Sequence, residues 1–315
     1  PDLVQPVNRI RAWVNAAVQP PEVVHFGADE VPQWPEWNDR HNRQWHGTMT
    51  SVAAAGNGYL SNGLYRGLAC NAEVVLIQVR SNASAMTNEQ IVSALHWVLM
   101  HGAALGIRIV NLSLGSFPVE SMAGNPIDEA VAALFANHIV VTAAAGNDGL
   151  RRLLPPATAP HALTVGGLDD QNTFDHDDNM LWHSNYGDGI DGAPKPELVA
   201  PSIWLAAPIL PETELAQAAA WLFAHRHEAD KADWIVQQLA EQKLITAHYQ
   251  HVDGTSFAAP LVASAVVCML EANPELSPDL VRQLLLATAQ AVPVMVSNLS
   301  VNSFLPEAVI ISRSF

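Results

Sequence analysis

Residues 254–260, Gly-Thr-Ser-Phe-Ala-Ala-Pro, combine a hydroxyl nucleophile with the start of a buried helix. The residues that follow stay small or apolar, and no charge occurs before position 271. Ser256 therefore lies at the amino end of a predicted helix over 257–270, where the helix dipole stabilises developing negative charge. Gly254 allows a sharp turn into this helix, and Pro260 falls in its first turn, where a missing N–H costs little. We therefore predict that Ser256 is a nucleophile.

The chain contains 13 histidines that could activate this serine, and one of them stands in a matching context. His46 opens the run His-Gly-Thr-Met-Thr-Ser-Val-Ala-Ala-Ala-Gly, in which small and polar residues follow the imidazole. This pattern predicts a helix start that can approach another backbone closely, as a base between nucleophile and substrate must do. We therefore predict that His46 is the general base.

A third chemical group lies between these two in the sequence. Residues 140–149 form a β-rich run that breaks into a Gly-Asn turn, so the amide of Asn147 is presented at the end of a predicted strand. An amide donor in that place can form half of an oxyanion hole, and the backbone N–H of Ser256 can form the other half.

Taken in this order, three motifs of the chain resemble those of the subtilase family of serine peptidases. They are His-Gly-Thr at 46–48, Ala-Ala-Ala-Gly-Asn at 143–147 and Gly-Thr-Ser-Phe-Ala-Ala-Pro at 254–260. Several motifs in a fixed order are far more specific than a single Gly-x-Ser.

The resemblance extends beyond these motifs. Residues 110–115, Val-Asn-Leu-Ser-Leu-Gly, resemble the substrate-binding strand of the family, and residues 182–187 and 195–201 resemble the stretch before the nucleophile. The substrate-binding residues that the resemblance implies are Ser113, Leu114, Gly115, Ala145 and Gly146.

The resemblance implies an α/β fold of three layers, subtilisin-like, in which helices cover both faces of a mainly parallel sheet. It also implies a serine endopeptidase. Ser256 would attack the peptide carbonyl, His46 would pass the proton to the leaving amine, and Asn147 would hold the oxyanion. An extended peptide would add as a strand that is recognised through its main chain, so the expected partners are protein or peptide substrates and no cofactor is implied.

The chain departs from the family at the third member of the triad. Subtilases carry an aspartate at the end of a first strand, shortly before a His-Pro-Asp-Leu turn. Because this chain opens with Pro-Asp-Leu, Asp2 matches the turn residue, and the first strand is expected to be lacking. Asp29 follows a β-like run, but no glycine-containing turn follows it. Met49 replaces a histidine that is common in the family, and Ser202 replaces a glycine.

This departure leaves two further functions open. One is a catalytically impaired pseudoprotease that keeps the fold as a peptide-binding or scaffolding module. The other is a fragment that becomes active only with a separate chain carrying the first strand. The retained Ser256, His46 and Asn147 argue against a binding module, because binding alone does not require all three.

Strand-like and helix-like runs alternate along the chain, which predicts parallel strands with helices on both faces of a sheet. In such sheets the chemistry lies at the carboxyl ends of the strands, where 113–115 and 145–147 fall. The predicted strands are 74–79, 107–112, 139–143 and 163–167, and the predicted helices are 88–105 and 126–137.

A single peptidase domain is predicted over 1–315, with a helical insertion at about 208–250. Apolar residues recur at helical spacing between positions 215 and 244, and the polar stretch 225–233 is predicted to join two helices. Two interpretations of the insertion stay open. It could be a lid or docking hairpin at the cleft, or a peripheral elaboration packed on the body.

The composition fits one globular domain, because 49% of the 315 residues are hydrophobic. A net charge of −16, with only 15 lysines and arginines, argues against nucleic acid as a partner. The longest uncharged apolar helix, 257–270, is too short to span a bilayer, so no membrane span is predicted. Only the family resemblance favours an extracellular location, and the sequence does not set the oligomeric state.

Metal sites and disulfides are not predicted. The acidic run at 169–178 could attract calcium, as in many subtilases, but it matches no defined loop spacing and is predicted to be solvated. The pair His225 and His227 lacks a further ligand for zinc. Cys70 precedes a predicted strand and Cys268 lies inside the predicted buried helix, and both are predicted to be structural free thiols.

Overall fold

A computed structural model of the chain describes residues 1–30, 45–80, 86–116, 124–228 and 230–292, together with the backbone of 309–310. Its strands and helices alternate, and the α/β fold predicted from the sequence is confirmed. The strands are β1 Ile10–Asn15, β2 Glu22–His25, β3 Val74–Gln78, β4 Ile109–Leu112, β5 Val140–Ala144, β6 Ala162–Asp169, β7 Met180–Leu181, β8 Gly187–Asp188, β9 Pro194–Lys195, β10 Leu198–Pro201, β11 Leu205–Pro208, β12 Tyr249–Val252, β13 Gln290–Ala291 and β14 Val309–Ile310. The helices are α1 Trp45–Ala55, α2 Asn88–His101, α3 Pro126–Ala136, α4 Glu214–His225, α5 Ala232–Glu241, α6 Thr255–Ala272 and α7 Pro278–Thr288.

Local signals account for the ends of α2. Thr87 and Gln90 form a capping box at its start, which satisfies two backbone N–H groups that have no partner inside the helix. The helix ends at His101, four residues before the predicted end. The chain continues as a turn, in which the N–H of Ile107 donates to the C=O of Gly102 at 2.8 Å. Gly106 has a φ of 66°, the left-handed conformation that commonly stops a helix.

The sheet lies in two parts. In the larger part the order is β13-β14-β10-β6-β5-β4, and β7 pairs with β6. The neighbours from β10 to β4 run parallel, as predicted. In the smaller part the order is β2-β1-β3, with β1 parallel to β3 and antiparallel to β2.

A groove separates the two parts. Within the described residues, β3 pairs only with β1 and β4 pairs only with β5. All five residues of β5, which has a neighbour on each side, are buried, whereas all five residues of β3 are only half-buried. The cavity bordered by β3 and β4 has a volume of about 2170 Å³. Central strands of an α/β sheet are normally buried on both faces, whereas among the described residues the edges of β3 and β4 that face the groove carry no paired strand.

Helices cover the larger sheet on both faces, as the three-layer prediction requires. Leu95 of α2 and Leu134 of α3 pack with Val141 on one face. Val262 of α6 and Val281 of α7 pack with Val165 on the other face. Each of these side chains is almost fully buried, and burial of one such side chain contributes about 1.5–3 kcal/mol to the free energy of unfolding.

Helix α6 is longer than predicted, with 18 residues instead of 14, because Thr255 and Ser256 begin it and Glu271 and Ala272 continue it. By length and composition it is the one candidate membrane span among the described residues, and 56% of that span is buried inside the protein. It packs between the sheet and α1 as a core helix.

Residues 208–250 contain α4 and α5, which share a small core of their own that includes Leu222 and Ile235. The segment leaves the body through the antiparallel pair β11 and β12, whose register places Pro208 opposite Tyr249. Helix α5 begins at Ala232, so the connection between the two helices is slightly shorter than predicted.

Candidate functional site

Ser256 is the second residue of α6 and is partly exposed. The preceding Gly254 has a φ of 133°, which favours glycine, and its N–H donates to the C=O of Ser202 at 2.7 Å. The first N–H groups of a helix have no partner inside it, and among the described residues none accepts from the N–H of Ser256. The turn therefore presents a hydroxyl and a free backbone donor side by side.

Thr255 fixes the direction of the Asn147 amide. The Oδ1 atom of Asn147 accepts from the N–H of Thr255 at 3.0 Å and from its hydroxyl at 2.9 Å. The same hydroxyl accepts from the N–H of Gly146 at 3.1 Å. Because Oδ1 is held by two donors, the Nδ2 group of Asn147 is left as the donor that faces outward, and Asn147 is exposed.

Asn185 supports the turn that carries Asn147. Its Oδ1 atom accepts from the N–H groups of Asp148 and Leu150 at 3.0 and 3.1 Å. Gly146 has a φ of 105°, and a Cβ atom there would lie 2.4 Å from Nδ2 of Asn185. The turn can therefore approach Asn185 only with glycine at this position. Thr255 holds Asn147 itself, and Asn185 holds the turn that follows it.

His46 lies in the first turn of α1, and its ring packs against Trp45 and Phe257 at centroid distances of 5.3 and 6.0 Å. Phe257 follows Ser256 directly, so the structure brings His46 to the beginning of α6. Burial lowers the pKa of His46 from its ordinary value of 6.5. Among the described residues, none forms a hydrogen bond with its ring nitrogens. The imidazole is therefore neutral at physiological pH and free to accept a proton.

The predicted substrate-binding residues lie in two segments near the beginning of α6. Ser113, Leu114 and Gly115 follow directly on β4, and Gly115 is exposed. The hydroxyl of Ser113 donates to the C=O of Ser256 at 2.6 Å, which joins this segment to α6. Ala145 and Gly146 follow on the neighbouring β5. The two segments therefore meet at the carboxyl ends of adjacent parallel strands, where the sequence placed them.

Neither candidate carboxylate reaches His46. Asp2 is buried and accepts from the hydroxyl of Tyr249 at 2.6 Å and from the N–H of Leu60 at 3.2 Å. Asp29 lies exposed in the turn after β2 and forms no hydrogen bond or ion pair with His46. Asp2 thus serves a turn, as its sequence match indicates, and the third member of a triad is not found among the described residues.

The two smaller departures from the family pattern are both buried. Met49 packs with Phe257, Val252 and Ala207, at the base of the insertion. The Ser202 hydroxyl donates to the C=O of Leu168 at 3.2 Å, and the Ser202 carbonyl holds the glycine before the nucleophile. Both residues therefore contact the turn that carries Ser256, Met49 through Phe257 and Ser202 through Gly254.

The acidic run at 169–178 is exposed apart from its half-buried first two residues, and it includes a short 3₁₀ turn, His176–Asp178. Across the described ranges no group of three or more His, Cys, Asp or Glu side chains is arranged to hold a metal ion. His225 contacts the backbone of its own helix. Both cysteines are free thiols, but Cys268 is exposed and not buried as predicted, because it faces the groove.

Sequence reasoning missed two residues that position Asn147. Thr255 lies inside the nucleophile motif, directly before the predicted nucleophile, and Asn185 lies in a stretch that resembles the family but carries no predicted role. The sequence signal for Thr255 is a hydroxyl residue between Gly254 and Ser256, and the structure shows that this residue is buried. The partner of Asn185 lies 37 positions away in the sequence, so no local pattern marks it.

Comparisons with known proteins identify the family of the chain. The model of the Subtilase family matches residues 10–304. Serine protease AprX of Bacillus subtilis (strain 168) is 28% identical over 266 residues, covering 82% of this chain and 55% of the relative. Subtilisin Savinase of Lederbergia lenta is 27% identical over 266 residues, covering 84% of this chain and 77% of the relative. The chain therefore spans about half the length of AprX.

Solved structures show the same fold. Sphericase superposes with a TM-score of 0.64 at 20% identity, covering 92% of this chain and 78% of that chain. The S41 psychrophilic protease also gives a TM-score of 0.64 at 20% identity, covering 91% and 79%. The family match extends over most of the sequence and includes all the residues gathered around Ser256. The chain belongs to the subtilase family.

Proposed function

We propose that the chain is a serine endopeptidase with Ser256 as nucleophile and His46 as general base. The hydroxyl oxygen of Ser256 attacks the peptide carbonyl while His46 takes the hydroxyl proton, and His46 then gives that proton to the leaving amine. The Nδ2 group of Asn147 and the N–H of Ser256 donate to the oxyanion. A serine, a histidine and an asparagine amide share these roles in subtilisins, to which this chain is similar.

One observation carries this proposal. The Oδ1 atom of Asn147 is held by two bonds from Thr255, directly beside Ser256. An amide donor that is already fixed next to a hydroxyl at a helix amino end can stabilise the oxyanion formed in acyl transfer, because the donor needs no reorganisation when the negative charge develops. Family membership and relatives named as proteases support the same reaction class.

The substrate is proposed to be a protein or peptide in extended form. It would run beside 113–115 on one side and beside Ala145 and Gly146 on the other, with its main chain as the principal recognition element. The reaction itself calls for no cofactor. Relatives named as subtilisins favour an extracellular setting, which remains part of the proposal.

The test is hydrolysis of a peptide substrate by the chain and by Ser256→Ala. We expect the variant to lose all measurable turnover while keeping its melting temperature. Ser93→Ala is the matched control, because Ser93 lies on α2 and its hydroxyl accepts from the amide of Gln19 away from Ser256, so this variant should keep the wild-type rate. Equal rates in Ser256→Ala and wild type would remove Ser256 from the mechanism.

The groove between β3 and β4 is proposed to receive an extended strand whose last residue offers a carboxylate to His46. Among the described residues, the edges of β3 and β4 that face the groove are unpaired. His46 and Gly115 both line this groove. A carboxylate in this place would orient the imidazole and stabilise the imidazolium. This would complete both the sheet and the triad.

A designed strand tests this part of the proposal. A strand of six apolar β-branched residues followed by Asp would be joined by a short loop to Pro1. An otherwise identical strand that ends in Asn would serve as the control. Both strands should raise the melting temperature, since both fill the groove. Only the Asp form should raise turnover, by about four orders of magnitude over the Asn form. No rise in melting temperature with either strand would contradict the proposed role of the groove.

A second candidate function is favoured by one observation. Within the described residues His46 lacks a carboxylate partner, as expected for a pseudoprotease that binds peptides without turnover. Under this alternative the Asp-bearing strand would raise the melting temperature and leave hydrolysis undetectable, while peptide binding would be retained in Ser256→Ala. Turnover in the strand-bearing form would exclude it.

A further inference from the structure

The two cysteines of the chain lie on neighbouring elements, although 70 and 268 are far apart in sequence. Cys70 is in the turn before β3, which the N–H of Ala72 closes onto the C=O of Ala69 at 2.9 Å. Cys268 lies on α6 and is exposed. Both residues line the groove between the two parts of the sheet. The groove wall therefore carries both thiols of the protein.

Helix α6 contacts the segment that contains Cys70 directly at Cys268, and one turn earlier it shares an acceptor of α1 with that segment. The C=O of Ala54 accepts from the hydroxyl of Ser264 at 2.8 Å and from the N–H of Ala69 at 3.3 Å, so helix and segment share one acceptor. One turn further along α6, about 6 Å, the sulfur of Cys268 lies 3.8 Å from the C=O of Leu68. The contact with Leu68 and the acceptor shared with Ala69 align the helix with the segment.

Cys70 follows directly in this aligned segment. Its Cα atom lies at most about 7 Å from that of Leu68, because two residues cannot span more. The direction in which the pKa of Cys268 is displaced is consistent with this closeness. Burial raises the pKa of the Cys268 thiol most, and the negative charges of Glu271 and Cys70 raise it further. Cys70 thus lies near enough for its charge to raise the pKa of the Cys268 thiol.

We propose that Cys70 and Cys268 are a redox site that closes to a disulfide when a disulfide oxidant such as oxidised glutathione is present. The exposed Cys268 thiolate attacks one glutathione sulfur, and one molecule of glutathione leaves as its thiolate. The Cys70 thiolate then attacks the Cys268 sulfur of this mixed disulfide and displaces the second glutathione. The protein loses two protons and two electrons, and the electrons reduce oxidised glutathione to two molecules of glutathione.

The disulfide would tie the nucleophile helix to the segment before β3 across one wall of the groove. A link between residues so far apart in sequence restricts the unfolded chain strongly. We expect the oxidised protein to melt about 5 °C higher than the reduced protein. The site neither contacts Ser256 nor depends on the proposed reaction.

The experiment uses the whole chain as Ser256→Ala, so that self-cleavage cannot interfere. Native protein is incubated with oxidised glutathione, remaining thiols are alkylated, and the intact mass and the disulfide-linked peptides are determined. We expect a mass lower by two hydrogen atoms, no alkylation, and a linked peptide pair containing Cys70 and Cys268. Melting temperature is measured before and after reduction.

Cys70→Ser and Cys268→Ser are the matched controls. Each should retain one glutathione adduct or one alkylated thiol, and neither should show a redox-dependent melting temperature. The proposal is overturned if the two-cysteine protein under native conditions carries only glutathione adducts or two alkylated thiols. It is also overturned if the internal disulfide appears only after the protein is unfolded in urea.

Discussion

At the scale of single residues, the oxyanion donor depends on the clamp between Asn147 and Thr255. Removing the amide in Asn147→Ala should lower kcat by about two to three orders of magnitude with little change in KM, the usual loss for one donor. Thr255→Val should also lower kcat, because Oδ1 of Asn147 loses one of its two donors and the N–H of Gly146 loses its acceptor, so the amide is held less firmly. Thr255→Ser keeps the hydroxyl and should stay close to wild type. A Thr255→Val enzyme as fast as Thr255→Ser would show that the hydroxyl does not position Asn147.

The ionisation of His46 gives a second prediction at this scale. Burial lowers its pKa below 6.5, so the neutral base persists to lower pH than in an exposed histidine. The acid limb of kcat/KM should therefore have its midpoint below 6.5, and NMR titration of the imidazole should report the same value. Because protonation is disfavoured in the folded state, the contribution of His46 to stability falls as pH drops below 6.5.

A carboxylate placed against the ring would act in the opposite direction. In the form with the designed Asp strand, the His46 midpoint should move upward, since an adjacent negative charge favours the imidazolium. The Asn strand should produce no such rise. A midpoint at or above 6.5 in the chain without any added strand would contradict the structure around His46.

The proposed reacting residues were easier to predict from the sequence than the residues that position them. Ser256, His46 and Asn147 stand in motifs that are recognisable locally, because turn, helix start and small residues occur together. Asn185 could not be predicted, because it acts through contacts with a turn that only the folded chain brings near it. The exposure of Cys268 could not be predicted either, because the apolar residues around it on α6 indicate burial, whereas in the folded chain it lines the groove.

At the scale of elements, the insertion offers a direct choice between lid and peripheral packing. Residues 210–247 can be replaced by Asn-Gly, because the N–H of Ile209 donates to the C=O of His248 at 2.8 Å directly beyond the β11–β12 pair. A two-residue turn suits this antiparallel ladder. The shortened form keeps Met49 and Val252, which pack near the nucleophile helix. We expect it to fold, because α4 and α5 share a core of their own.

If the insertion is a lid, its removal should raise the rate on a folded protein substrate more than the rate on a short peptide, because a lid excludes large substrates. Both rates are measured on the wild-type and shortened forms, with melting temperature as the folding control. Equal changes on both substrates would indicate peripheral packing. Loss of folding would show that these helices belong to the main core.

Strand and helix positions followed from hydrophobic patterning, but the division of the sheet did not. β5 was predicted within one residue at each end, since a fully buried strand is a continuous apolar run. β3 has an equally apolar sequence and is nevertheless half-buried. The hydrophobic pattern predicts which residues form strands. Only the assembled sheet shows which strand edges have no paired neighbour among the described residues.

At the scale of the whole molecule, Asp128 makes stability depend on pH. Burial raises its pKa from 3.8 to about 6, although its bond from Thr158 and the charge of Lys195 oppose the shift. The fold favours the protonated acid, so this contribution to stability is present at low pH and is lost as pH rises to about 6. The shift corresponds to up to about 3 kcal/mol in the free energy of unfolding.

Asp128→Asn should therefore become more stable relative to wild type as pH rises from about 4 to about 8. Denaturant unfolding at both pH values measures the difference, and Asp170→Asn in the solvated loop is the control, with no comparable trend expected. A difference between Asp128→Asn and wild type that stays constant with pH would mean that this carboxyl is ionised in the fold at ordinary pH.

The fold of this subtilase should make Ser256 the reactive hydroxyl of the whole chain. The most direct measurement is labelling with a fluorophosphonate probe, followed by mass mapping of the modified peptide. We predict a single adduct on Ser256, formed faster in the protein with the Asp-bearing strand and absent in Ser256→Ala. Labelling that persists in Ser256→Ala, or an adduct mapped to another serine, would contradict this assignment.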